Sequence, residues 1–177
     1  MNQSFALRTI RFPDGRAEPA GWDCLRAGQA IVSPGVTLSQ VYDAVRKVEL
    51  PGGTIGVTPK VRGLSNLESF FWLEGASQPP VDLFLSGSVL HAEFRVVEYR
   101  WGFGDGRQTV TTGPGTPGLE SEVRTAFPRR GFYRVGVTVM WVAEAWLDGR
   151  RVGEVNDLVS RAQTTYPVAE LRTVLTG

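Results

Sequence analysis

The chain has 177 residues, 42% of them hydrophobic and 21% charged, which is the composition of a folded protein and argues against long disorder. Its 19 basic and 18 acidic residues leave a net charge of +1, without the basic excess or stripe that is typical of nucleic-acid-binding proteins. The single cysteine, Cys24, excludes an internal disulfide and a zinc site built from several thiolates.

Glycine (21 residues) and proline (11 residues) are abundant, which favours many turns between short strands over a few long helices. No window reaches the roughly 18 apolar residues that a membrane span needs. Residues 1–5 lack a charged leader followed by an apolar stretch. This start fits either a cytoplasmic chain or one whose signal has been removed.

Residues 1–36 are predicted to be irregular and rich in turns, with signals at Pro13-Asp14-Gly15 and Ser33-Pro34-Gly35. Short strands are predicted at Ala6–Phe12 and Ala30–Val32. The segment is too apolar for a solvated tail, since it contains Phe5, Ile10, Phe12, Trp22, Leu25, Ile31 and Val32. We expect these side chains to pack on the protein's own body. Docking on a neighbouring molecule by strand addition is the alternative.

One helix is predicted at about 37–50. Thr37 can cap it, and Gln40, three residues later, completes a capping box. Apolar residues recur at helical spacing at Leu38, Val41, Ala44, Val45 and Val48. Pro51-Gly52-Gly53 ends the helix. We expect this stripe to pack on the sandwich, and partner binding is the alternative.

After the helix the apolar period changes to two, which indicates strands. The predicted strands are Thr54–Val61, Ser69–Leu73, Val81–Leu85, Val89–Phe94, Val97–Phe103, Glu122–Phe127, Phe132–Val142, Trp146–Leu147 and Leu158–Thr165, followed by a segment to Leu175. Turn signals occur at Asp148-Gly149 and Asn156-Asp157. Short strands at this spacing are typical of an all-β sandwich. We therefore divide the chain into an extension, residues 1–52, and a sandwich, residues 53–177.

The most informative stretch is residues 99–106. Tyr99, Trp101 and Phe103 alternate, so their rings share one face of a strand and are expected to fill the core. Gly104-Asp105-Gly106 then favours a tight turn. A second stretch follows, in which Phe127 precedes a Pro…Gly turn and a long strand. Its inward-facing positions are predicted at Tyr133, Val135, Val137, Val139 and Trp141.

Together the two stretches resemble the PKD (polycystic kidney disease) domain family, whose hallmark is a Trp-x-Phe-Gly-Asp-Gly segment followed by a corner and a strand of alternating valines. The matching residues are Trp101, Phe103, Gly104, Asp105, Gly106, Thr125, Phe127, Gly131, Tyr133, Val135, Val137 and Val139. The chain departs from the pattern at Phe127, where the family usually has Tyr, and in a Gly/Pro-rich insertion at Thr112–Leu119. The resemblance covers roughly residues 55–145.

The resemblance implies an immunoglobulin-like sandwich that works outside the cytoplasm, as a protein- or carbohydrate-binding module or a spacer, without an active site. The flanks, including Phe71-Trp72 and residues 166–175, resemble uncharacterised secreted or envelope proteins of actinobacteria that contain PKD domains. On this resemblance we expect an extracellular or cell-envelope location, a signal already removed, and no cofactor or metal.

Enzyme chemistry finds little support in the residues. His91 is the only histidine, and no Gly-x-Ser-x-Gly elbow is present to partner it. Cys24 and His91 form a formal nucleophile–base pair that nothing in the sequence brings together. Acidic residues at strand ends or in alternation with apolar ones are expected to face solvent, not to act as paired glycosidase carboxylates: Glu68, Glu74, Asp82, Glu93 and Glu98.

Three further kinds of site are conceivable: a calcium site, a phosphate loop and an aromatic binding surface. Asp105 is a potential calcium ligand, but one carboxylate is far short of six to eight oxygens, so we expect a turn residue. The Gly-rich stretch around Asp105 lacks the Lys-Ser/Thr of a phosphate loop. Trp22, Trp72 and Trp146 are candidates for an exposed binding surface, alone or with Phe70, Phe71 and Tyr42.

The sequence therefore predicts a non-enzymatic interaction or scaffolding module that binds protein or carbohydrate. The alternative is a structural subunit of a homo- or hetero-oligomeric assembly that docks through its N-terminal segment. A hydrolase is a distant third.

Overall fold

The computed structural model describes residues 4–11, 17–25, 31–33 and 35–170, with side chains described for 35–170. Strands dominate, which confirms the all-β class, and one α-helix occurs within these ranges. In chain order the elements are β1 (Ser4–Arg11), β2 (Ala17–Leu25), β3 (Ile31–Ser33), β4 (Val36–Thr37), α1 (Leu38–Arg46), β5 (Thr54–Thr58), β6 (Gly63–Leu64), β7 (Glu68–Glu74), β8 (Val81–Leu85), β9 (Ser88–Gly102), β10 (Gln108–Thr111), β11 (Arg124–Ala126), β12 (Gly131–Leu147) and β13 (Arg150–Ala169).

The chain divides into two compact units. Unit 1 comprises Met1–Val48, Pro80–Glu93 and Ala143–Val155, and unit 2 comprises Glu49–Pro79, Phe94–Val142 and Asn156–Gly177. Strands β9, β12 and β13 each contribute residues to both units. The predicted division at residue 52 stays a prediction.

Helix α1, in unit 1, begins where its cap predicts but ends at Arg46, so its predicted end near residue 50 was wrong. The Lys47 amide donates to the Ala44 carbonyl at 3.2 Å, three residues back, which closes the last turn before Pro51 is reached. Thr37 Oγ1 accepts a hydrogen bond from the Gln40 amide at 3.3 Å, and Gln40 Oε1 accepts one from the Thr37 amide at 2.8 Å. This reciprocal pair is a capping box. Val41 and Val45 are buried, and Gly153 on β13 leaves room for the Tyr42 hydroxyl, 2.8 Å from where a Cβ would lie. The apolar stripe of the helix is therefore packed within unit 1, while its predicted packing on the sandwich stays a prediction.

Tight two-residue turns connect neighbouring strands of unit 1. Ser86 and Gly87 join β8 to β9, and Asp148 and Gly149 join β12 to β13. All four residues have positive φ, between 47° and 89°, as hairpin turns that follow the strand twist require. The predicted turn at Asp148-Gly149 is confirmed. Asp148 also ties it to β9, since its Oδ1 accepts from the Val89 amide at 2.9 Å.

The N-terminal segment is more regular than the sequence indicated. Strands β1 and β2 pair antiparallel from Ser4↔Leu25 to Arg11↔Ala17, and β3 pairs with β4. The sequence analysis missed strand β2 because Pro19 and Gly21 are typical turn residues. In the structure both residues pair with β1, on either side of a shift in the strand register. The turn signal at residues 13–15, residues Phe12, Ala30 and Pro34, and the C-terminal segment 171–175 lie outside the described residues.

Unit 2 is built from two sheets. One has the strand order β10-β9-β12-β13-β6, and the other has the order β11-β7-β5. The ring of Phe71, on β7, lies 5.5 Å from that of Tyr166 on β13 and 5.8 Å from that of Phe103. Ser69 Oγ also donates to Tyr166 Oη at 3.3 Å. The two sheets therefore face each other across an aromatic core.

Three sequence-based predictions about the long strands were wrong. Val89–Phe94 and Val97–Phe103 belong to one strand, β9, because alternating burial continues through residues 94–97. Trp146–Leu147 is the end of β12 and not a separate strand. Asn156-Asp157 is no chain reversal, because β13 continues through it. Asp157 has φ +62°, a conformation that aspartate tolerates as a single residue within a strand.

The insertion at Thr112–Leu119 lies in a loop that runs along β7. The Leu73 amide donates to the Pro114 carbonyl and the Phe71 amide to the Val123 carbonyl, both at 2.8 Å. These contacts satisfy amide groups of β7 that lie beyond the short ladder between β7 and β11. Over the described ranges, no helix is both long and apolar enough to cross a bilayer.

Candidate functional site

The first motif stretch builds the core of unit 2. Tyr99, Trp101 and Phe103 are buried, and Trp101 is only 1% exposed. Their shared face follows from the strand period of two. Trp101 Nε1 is buried without a hydrogen-bond partner among the described residues. These aromatic residues serve packing.

The Gly104-Asp105-Gly106 turn that follows is stabilised by contacts between Asp105 and Arg107. The Asp105 carboxylate accepts from the Arg107 amide at 3.0 Å and from Arg107 Nε at 2.8 Å, and Arg107 also donates to the Ala126 carbonyl at 2.9 Å. Burial of the carboxyl opposes ionisation, but these hydrogen bonds and the guanidinium charge hold the pKa of Asp105 below its usual value. Its oxygens are thus committed to Arg107. No group of three or more His, Cys, Asp and Glu suited to a metal occurs in the described part of the chain.

The second motif stretch forms a corner. Phe127 is fully buried, and its ring lies 4.2 Å from that of Tyr133. The Tyr133 hydroxyl donates to the Arg129 carbonyl, four residues upstream, at 2.9 Å. Gly131 begins β12, from which Val135 and Val137 enter the core.

The three tryptophans proposed as a binding surface have different surroundings. The side chain of Trp22 lies outside the described residues. Trp72, in unit 2, is half-buried, lies over Gly56 and donates from Nε1 to Glu74 Oε1 at 2.6 Å. Trp146, in unit 1, is half-buried beside His91, with ring centroids 5.7 Å apart. Phe70 and Phe71 are buried in the core, so these two candidates do not belong to a surface platform.

Trp146 belongs to an outward-facing surface of unit 1 that we call the Trp146 face. It consists of Asp82, Phe84, Val89, His91, Glu93 and Trp146. Leu90, Ala92 and Ala145 are fully buried, so the residues that alternate with them point the other way. The β8–β9 register places Phe84 opposite Val89 and Asp82 opposite His91.

His91 is the polar centre of this face. Its Nδ1 lies 2.6 Å from Asp82 Oδ1, and its Nε2 lies 3.4 Å from Glu93 Oε1. The hydrogen bond to Asp82 is the largest influence and raises the pKa of His91. Partial burial opposes this effect, and Glu93 reinforces it. The two carboxylates therefore stabilise the imidazolium form.

The apolar part of the face is prominent. Phe84 is 82% exposed, and its cross-strand neighbour Val89 is 40% exposed. The sequence analysis singled out neither Phe84 nor Val89. The alternation of polar and apolar residues in β8 would have placed Phe84 on the same face as Asp82. The arrangement offers an apolar contact area beside a histidine flanked by two carboxylates.

The remaining acidic residues singled out in the sequence are engaged elsewhere. Glu68 lies 3.7 Å from Arg124, Glu74 accepts from Trp72, and Glu98 pairs with Arg100. Each of the three carboxylates is thus engaged in its own side-chain pair.

Comparison with known proteins adds no identification, since no family model matches the chain and no curated protein or solved structure is significantly similar to it.

Proposed function

We propose that this protein is a non-enzymatic interaction module of the extracellular space or cell envelope, built as a PKD-type immunoglobulin-like sandwich. It binds a protein partner through the Trp146 face. The location and the PKD type rest on the resemblance of residues 99–106 and 124–139 to that family.

The corner at Tyr133 supports the immunoglobulin-like part of this proposal. Domains of that class carry a tyrosine near the start of a core strand, whose hydroxyl bonds to the backbone a few residues upstream. Tyr133 makes a bond of this kind to the Arg129 carbonyl. The aromatic core between the two sheets of unit 2 supports it further.

The observation that carries the binding proposal is the exposed pair Phe84 and Val89. Isolated apolar residues on a surface are ordinary, but here two lie directly opposite each other on neighbouring strands, close to a half-buried tryptophan. Protein interfaces have this composition, with aromatic and apolar contacts in the middle and polar groups at the rim. Asp82 and Glu93 supply the rim.

A protein fits this surface better than a carbohydrate. Sugars need a flat ring for stacking together with several free hydrogen-bonding groups, whereas Asp82 and Glu93 on this face are already bonded to His91. Val89 adds aliphatic contact area beside the Phe84 ring, which suits an apolar side chain. The ring of Trp146 already lies against His91. The carboxylates favour a partner that presents an apolar side chain flanked by lysine or arginine.

Site-specific photocrosslinking tests the proposal. A benzophenone amino acid placed at residue 84 should form adducts with a partner protein in an extract of the source organism, and Trp146→Ala should reduce them. The matched control places the same amino acid at Phe132, which is 83% exposed in unit 2. Equal labelling from both positions would contradict the proposal.

Two other outcomes assign a different partner. An adduct of twice the chain's mass from position 84 favours the assembly alternative. Binding to a glycan array that Trp146→Ala abolishes, without protein adducts, shows that the face binds carbohydrate instead.

A further inference from the structure

A groove of about 430 Å³ lies on the outward face of the larger sheet of unit 2. It crosses three successive strands, β9, β12 and β13. Arg100, Arg134 and Arg161 line it, one from each strand. Trp101 directly follows Arg100, and Val135 directly follows Arg134. Both are buried in the core, so the two arginines face outward.

Two glycines shape the floor of the groove. Gly102 follows Arg100 on the same face, and a Cβ there would meet nothing within 4 Å. Gly136 follows Arg134, and its Cβ would make only ordinary contact, 3.5 Å from the Ala162 carbonyl. Glycine within a strand weakens it and often marks a place where a ligand or another backbone approaches closely. Space above Gly102 is open, and a β-branched residue, more usual in strands, would fill it.

Two of the three arginines at the groove have no acidic side chain beside them in the described residues. Arg100 pairs with Glu98 on its own strand. Neither Arg134 nor Arg161 has a carboxylate within ion-pair distance among the described residues. Two guanidinium groups are therefore left to pair with a ligand, and guanidinium forms bidentate hydrogen bonds to carboxylates. Because the net charge of the chain is only +1, this is a local site and not part of a general basic field.

We infer that this groove binds an extended acidic peptide segment of a partner protein, with carboxylates that pair with Arg134 and Arg161. This site lies in unit 2 and is independent of the Trp146 face, so it goes beyond the function proposed above. Neighbouring strands lie ~4.8 Å apart, and carboxylates two residues apart on an extended peptide lie about 7 Å apart. Flexible arginine side chains span that difference.

The polar lining favours a peptide over other polyanions. Gln108 and Gln163 offer carboxamides that both donate and accept, which suits the N–H and C=O groups of a peptide backbone. A phosphodiester backbone has no N–H donor. An acidic polysaccharide would gain from an exposed aromatic ring for stacking. Among the described residues at the groove the one ring, that of Trp101, is buried.

Fluorescence anisotropy with a labelled dodecapeptide of alternating glutamate and serine tests the inference on the full chain. We expect measurable binding that falls about tenfold or more in the double variant Arg134→Gln/Arg161→Gln. The control double variant Arg124→Gln/Arg129→Gln removes equal charge from unit 2 outside the groove and should change the affinity less than about twofold. Equal losses in the two variants, or no binding by wild type, overturn the inference.

A second variant tests the shape of the groove with its charge intact. Gly102→Val adds a side chain to open space, so thermal unfolding should stay cooperative while peptide binding weakens. If Gly102→Val binds the peptide as wild type does, the groove is not the site. Tighter binding of an oligodeoxythymidylate or an oligogalacturonate of equal charge also overturns the proposal, in favour of a nucleic acid or a polysaccharide.

Discussion

Trp101 and Trp141 are both buried in unit 2, but their indole N–H groups are in different situations. Trp141 Nε1 donates to Ser160 Oγ at 2.9 Å, and Ser160 in turn donates to the Pro51 carbonyl at 2.8 Å. Trp101 Nε1 meets no such acceptor in the described structure. An unsatisfied buried donor costs free energy, so the two tryptophans stabilise the core to different degrees.

We expect Trp101→Ala to lower the free energy of unfolding by ~3–5 kcal/mol, because it leaves a large cavity in the core. Trp101→Phe should cost less than Trp141→Phe, since only the latter loses a hydrogen bond, worth about 1 kcal/mol. Urea denaturation of the three variants measures this. A Trp101→Ala variant as stable as wild type would show that Trp101 does not support the core.

His91 provides a pH-dependent prediction. Its pKa in the folded protein is raised above 6.5, so the charged interactions with Asp82 and Glu93 contribute stability fully below pH 6.5. That contribution is lost as the pH rises through the raised pKa. We expect Asp82→Asn to lower the pKa of His91 toward 6.5, and Glu93→Gln to lower it less. An NMR titration of the His91 ring measures both, and an unchanged pKa in Asp82→Asn would remove Asp82 as the cause.

At the scale of elements, the Gly-Asp-Gly turn shows two different needs for glycine. Gly104 has φ +77°, and a Cβ on it would lie 2.7 Å from the backbone N and O of Arg134 on β12. Gly106 has φ +90°, but a Cβ there would enter open space. Gly104 is required by both conformation and close approach, and Gly106 by conformation alone.

The two alanine substitutions separate these needs. Gly106→Ala should cost roughly 1–2 kcal/mol, the strain of an alanine in the left-handed region. Gly104→Ala should cost more, because the backbone of Arg134 must also move away from β9. Thermal denaturation of both variants gives the comparison. Equal losses would mean that the turn does not pack against β12 in the way described.

At the scale of the whole molecule, the open question is whether the N-terminal segment packs on the protein's own body or docks on a neighbouring molecule. Strand β3 pairs with β4 immediately before helix α1, and β1 pairs with β2. We expect deletion of residues 2–34 to lower the melting temperature of the dilute monomer, because β4 and the helix cap lose their paired strand. Calorimetry and sedimentation velocity test this. A stable monomer that no longer self-associates would favour docking, and no change in either would make the segment a linker.

Much of this architecture follows from short-range features of the sequence. The capping box of Thr37 and Gln40, the Asp148-Gly149 turn and the alternation of Tyr99, Trp101 and Phe103 all depend on residues close in the chain. Their conformations are therefore set by local hydrogen bonding and by the strand period. The all-β class and the buried motif aromatics followed from these features alone.

Strand pairing decided the rest. Phe84 and Val89 oppose each other only because a two-residue turn sets the β8–β9 register, and Trp146 reaches His91 from a strand more than fifty residues away. Arg100, Arg134 and Arg161 share a groove only because β9, β12 and β13 are neighbours in one sheet. Periodicity places a residue on a face of its own strand, but not beside a particular residue of another. Surfaces of this kind are therefore determined by long-range backbone hydrogen bonding, which the tertiary structure alone reveals.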